Sequence, residues 1–143
     1  MYLRFVGTDT DERTGQATGL MTIAYELRNA GALNLADETQ LLTHLHWIQT
    51  EIPIPTRFAR RRNGHHKETH GLSWVKSEAT ELIAHLYAIA DIAGRHDRMI
   101  DVQRTARPGY VVYEDEWQIV AEPFHGEHRT LPTRPGSSSG GVP

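Results

Sequence analysis

Between Leu82 and Ala93 apolar side chains return at steps of three and four: Leu82, Leu86, Ile89 and Ala93, flanked by Ile83, Ala90 and Ile92. This spacing gathers them on one side of a helix and gives the broadest apolar face in the chain. The segment is therefore expected to be the central core helix, with Ser77 as a candidate N-cap and Gly94 at its end.

Two further helical patterns precede it. Leu20, Ile23, Ala24 and Leu27 recur at helical spacing and stop at Gly31, a residue suited to a helix C-cap. Asn34 then offers an N-cap oxygen, Asp37 sits in the first turn where a carboxylate favours the helix dipole, and Leu41, Leu45, Ile48 and Ile52 form the stripe. Pro53 and Pro55 end this helix and push Ile52 and Ile54 toward extended conformations, so PIPTRF leaves it as a stiff arm.

The remaining patterns are of strand type. Tyr2-Leu3-Arg4-Phe5-Val6 alternates and leads into Gly7 and a polar, turn-rich run from Thr8 to Gly19. The C-terminal third predicts three strands, over 99–105, 110–113 and 117–122. Pro108-Gly109 marks one turn between them and Glu114-Asp115-Glu116 a hairpin tip. Val111 and Tyr113 on one face with Val112 on the other predict a middle strand partly buried on both sides.

The resulting order, β-α-α-loop-α-β-β-β, predicts a small α+β domain with a mainly antiparallel sheet packed on helices. At 143 residues, 38% hydrophobic and 23% charged, the chain is long and apolar enough for one core. That domain is expected over 1–130. Residues 131–143, with Pro132, Pro135 and GSSSGGVP, have the composition of a flexible tail and are left out of the functional reading.

No cysteine is present, which excludes disulfides, thiolate metal sites and cysteine nucleophiles. No leader-type segment or run of about 18 apolar residues occurs, so a cytoplasmic location is expected, without membrane contact. The sequence does not define an oligomeric state.

Charge is distributed unevenly. Residues 1–56 carry a net −4, 57–76 a net +5, and 77–143 a net −4, within a chain of net −3. Anion contact is thus expected to be local, centred on RFARRRNGHHKETHG, residues 57–71. Arg57, Arg60, Arg61, Arg62 and Lys67 could neutralise several phosphates, because the guanidinium fork matches a phosphate edge and is always charged. With Lys76 they form the expected contact set for an anionic partner, either nucleic acid or an acidic protein surface. The same residues also suit a solvated loop of a structural or regulatory protein, or pairing with the chain's own acids. Phe58 would stack on a base or pin the loop to the core.

Two chemical alternatives use the histidines. His65, His66 and His70, with Glu68 nearby, have spacing that would suit a divalent metal on a helix. Asn63-Gly64 opposes a helix there and the flanking arginines repel a cation, so neither metal nor cofactor is expected. A metal-independent ribonuclease would use His125 and His128 as base and acid, with Arg129 and the loop arginines holding phosphate. That reading leans on a loose likeness of element order to small bacterial ribonuclease toxins, and His125-Gly-Glu-His128 is more simply a polar chain end. Catalysis is not the expected activity. The cluster Glu114-Asp115-Glu116 and the faintly calcium-loop-like Asp9–Gly15 are read as a solvated hairpin tip and a turn.

Three stretches carry a resemblance: Pro53-Ile-Pro55-Thr-Arg57-Phe58-Ala-Arg60, Trp74-Val-Lys76, and Arg107 to Phe124, RPGYVVYEDEWQIVAEPF. Together with the MYLRFV start and the TG turn, the chain to about residue 125 resembles a group of short uncharacterised bacterial proteins. The resemblance implies a bacterial cytoplasmic protein and carries no residue roles. It also suggests that these stretches pack together, with Arg57, Lys76 and Gln118 on one surface and His70 nearby.

Overall fold

The computed structural model describes residues 1–12, 15–55, 60–62, 65–67 and 71–124, the two short pieces 60–62 and 65–67 by backbone alone. Three helices form where the apolar stripes place them. α1 (Leu20–Ala30) ends at Gly31, whose φ of 69° is the left-handed conformation anticipated for its cap. α2 (Leu35–Glu51) begins at Asn34, whose side-chain oxygen accepts the Asp37 N–H at 2.8 Å. It ends at Ile52, extended at φ −103° and ψ 125° before Pro53.

α3 (Thr80–Arg95) packs against both other helices, as the width of its apolar face requires. It starts later than the Ser77 cap anticipated. Ala79 holds the N-cap position and no side chain caps it. The helix also runs one residue past Gly94, and Asp97 takes up the left-handed turn beyond it at φ 65°.

The sheet contains more strands than the sequence pattern reveals. β1 (Tyr2–Thr10) continues past the anticipated Val6, and β2 (Ala17–Gly19) falls inside the run read as loop. Next come β3 (Arg60–Arg62), β4 (His65–Lys67) and β5 (Leu72–Lys76), and after α3 lie β6 (Asp101–Thr105), β7 (Tyr110–Glu114) and β8 (Gln118–Glu122). All the pairings are antiparallel. Six strands make one sheet, β2-β1-β5-β8-β7 with β6 also on β1, while β3 and β4 form a separate two-stranded ribbon.

The helices cover one face of the large sheet. Leu3 and Phe5 of β1 and Val75 and Val102 of its neighbours join the helix stripes there, with Ile89 and Leu41 fully enclosed. Burying each such side chain contributes roughly 1.5–3 kcal/mol. The opposite face carries a second cluster of Leu72, Trp74, Ile119 and Ala121. The strand buried on both faces is consequently β8, with Ile119, Val120 and Ala121 all enclosed. β7 does not fill that role: Val111 is half exposed, because a register shift between Val111 and Tyr113 breaks the alternation that predicted otherwise.

At the β7–β8 tip the acidic residues serve the turn itself. Asp115 accepts the N–H groups of Trp117 and Gln118 at 2.8 and 3.0 Å and the Tyr113 hydroxyl at 2.7 Å. A side chain so occupied is a hairpin staple rather than a cation ligand.

Candidate functional site

The basic segment folds, where described, as strand. β3 and β4 pair with Arg60 opposite Lys67, Arg61 opposite His66 and Arg62 opposite His65. Asn63-Gly64 stands between them, the dipeptide that two-residue hairpin connections favour. The strand backbone at 65–67 removes the helical spacing on which a histidine metal site depended. Among the described residues no group of three or more His, Asp or Glu is placed to hold a metal ion. Arg57, Phe58, Glu68 and His70 lie outside the described residues, as do His125, His128, Arg129 and the 131–143 tail.

Among the described residues, Pro53, β5 and the β7–β8 hairpin come together. β5 lies beside β8 in the sheet, and the Gln118 amide donates to the Pro53 carbonyl at 2.8 Å, tying the proline arm to the hairpin. Gln118 is buried in this role, 8% exposed. Lys76 is also committed: its ammonium lies 2.6 Å from Glu114, which raises its pKa chiefly through that hydrogen bond. Of the six expected contact residues, Lys76 is the one whose side chain lies among the described residues, and it is paired with Glu114.

A recess near these elements lies where the sheet parts. On one edge of β1, β5 pairs with Tyr2 and Leu3, while β2 pairs with Val6 and Thr10. The two strands diverge between those contacts and leave a cavity of about 540 Å³ beside Arg4 and Phe5. Leu20 and Met21 of α1, Ile48 and Ile52 of α2, and Leu82 and Leu86 of α3 supply apolar wall. Pro53 to Pro55 on one side and Gly71 to Ser73 on the other complete it.

One charged side chain in that wall is buried. Arg4 is 8% exposed, donates to the Ala17 carbonyl at 2.7 Å, and has its pKa pushed down to about 10, first by burial and against the pull of Asp11. Sequence reasoning passed over it because an alternating strand tolerates one charge on its wet side. The signal available was that a single arginine interrupts an otherwise apolar run.

A second arrangement, also not anticipated, joins α2 to α3. The Nδ1 atoms of His44 and His85 are 2.8 Å apart, and Trp47 stacks on the His85 ring at 4.1 Å between centroids. That contact needs one ring to donate and the other to accept, so it survives only while at least one ring is neutral. Burial, and secondly the nearness of His85, lower the His44 pKa below its ordinary 6.5. The folded state therefore binds fewer protons here than the unfolded chain, and stability falls as pH drops below about 6.5. Urea midpoints measured from pH 7.5 to 5 are expected to fall less steeply in His44→Gln than in the parent chain; equal slopes would refute this role.

Comparison with protein-family models, curated proteins and solved structures gave no match. No helix among the described residues is long and apolar enough to cross a membrane.

Proposed function

We propose that this is a bacterial cytoplasmic binding module, non-catalytic, whose basic segment 57–67 contacts an anionic macromolecule. The observation that carries the reading is the β3–β4 register. Arg60 stands opposite Lys67 in a ribbon separate from the main sheet. Like charges directly opposed across an antiparallel pair are destabilising, and a bound polyanion removes that cost. Residues 57–67 hold five cations and no acid, while the remainder of the chain carries a net −8. Contact is accordingly confined to the ribbon and its lead-in, because the rest of the protein repels the same partner.

Nucleic acid is the favoured partner. A two-stranded ribbon is one of the two elements that a DNA major groove admits, and arginine matches phosphate edges. Five cations give an expected slope of log K against log salt of up to about −4.5, from roughly −0.9 per phosphate. The test is anisotropy of a labelled 20-base-pair duplex and of a single-stranded RNA across a salt series. Arg60→Glu/Arg61→Glu/Arg62→Glu should weaken binding on the order of a hundredfold without lowering the melting temperature. Nucleic acid bound equally by parent and variant would overturn the reading. An acidic protein partner would show instead as capture that survives nuclease treatment and is lost in the same variant.

A further inference from the structure

We propose that the cavity between β2 and β5 binds a small organic anion with an apolar body, its carboxylate held by Arg4. The wall is mostly hydrocarbon, and a volume near 540 Å³ is in the range of cavities that enclose small organic molecules. Its polar side chains are largely engaged with one another or with backbone. The Gln49 amide donates to the Tyr25 hydroxyl at 2.8 Å, and the Gln118 amide is spent on Pro53 and Asp115. Thr22 and Ser73 add small hydroxyl-bearing positions to the wall.

Arg4 is the buried cation that defines the chemistry. An arginine carries five donors in a planar fork, more than one carbonyl such as that of Ala17 can accept. Asp11 also lines the cavity and attracts the guanidinium, yet burial outweighs that attraction. The guanidinium is a buried cation beside a mostly hydrocarbon wall, and a carboxylate entering the cavity would add charge-assisted hydrogen bonds to it. The fork gives a planar carboxylate two parallel hydrogen bonds, and the alkyl or aryl remainder meets Leu20, Ile48, Leu82 and Leu86.

The matched pair octanoate and 1-octanol isolates the charge, since the tail is shared. Calorimetric titration of the full chain should show octanoate binding about tenfold more tightly than 1-octanol. In Arg4→Met that preference should vanish while 1-octanol still binds. Equal affinities in the parent chain, or no binding of either compound, would overturn the proposal. Should Arg4→Met fail to fold, the comparison in the parent chain decides alone. Nucleic-acid binding by the basic ribbon is read in a separate assay, so either proposal can fail without the other.

Discussion

Gly109→Ala is expected to lower stability by about 3 kcal/mol or more, a large part of the roughly 5–15 kcal/mol available to a domain of this size. Two independent obstacles meet at this residue. Its φ of 139° lies where side-chain-bearing residues are rarely found. A Cβ built there would also sit 2.1 Å from the Glu122 carbonyl oxygen and 2.8 Å from its carbon, both backbone atoms that cannot turn aside. Relief requires breaking the Tyr110–Glu122 pairing that starts the β7–β8 ladder. β8 encloses Ile119, Val120 and Ala121 and supplies two members of the second apolar cluster, so loosening it exposes buried side chains. Gly94→Ala provides the contrast. Nothing lies within 4 Å of a Cβ there, and within α3 the exchange should stabilise by roughly 0.5–1 kcal/mol through helix propensity. Urea midpoints of the two variants should move in opposite directions, and a Gly109→Ala midpoint equal to that of the parent would refute the account.

The turn at 108–109 was legible in the sequence for the same reason that it is fragile, since Pro-Gly leaves few other conformations. The three helices were legible too, because each stripe repeats over at least two turns; Gly31, Asn34 and Pro53 also fixed the ends of α1 and α2, whereas the ends of α3 had no such marker. The short strands were not. Leu72 to Lys76 alternates in burial, but five residues of alternation between a basic run and a helix do not distinguish a strand from an approach to that helix. β2 is three residues long and exists by pairing with a bulged β1, a tertiary fact without a local pattern. The cavity was hidden by the same circumstance, because its opening depends on β2 and β5 sharing one edge of β1. Arg4 and the His44–His85 contact are likewise products of juxtaposition: 41 positions separate the two histidines, and no spacing rule connects them.

Asp37 joins sequence logic to tertiary structure most directly, and its replacement should have the second largest effect. The sequence marks it as a first-turn carboxylate of α2. In the fold it also receives Arg95 at 2.8 Å and His96 at 2.8 Å from the far end of α3, and it is 7% exposed. One carboxylate thus complements the positive end of α2 and clamps the C-terminal turn of α3 to it. The Arg95 hydrogen bond first, and the His96 bond second, hold its pKa at about 2 against an ordinary 3.8. Because the folded value is the lower one, the stabilisation is complete above pH 3.8 and is lost as pH falls toward 2. Asp37→Asn preserves shape and removes the charge, so its melting temperature should lie several degrees below that of the parent at pH 7. The deficit should shrink steadily between pH 4 and pH 2, where the parent carboxylate also becomes neutral. A deficit that does not change across this window would mean that Asp37 acts through packing alone, and would refute the charged clamp of Asp37 on Arg95 and His96.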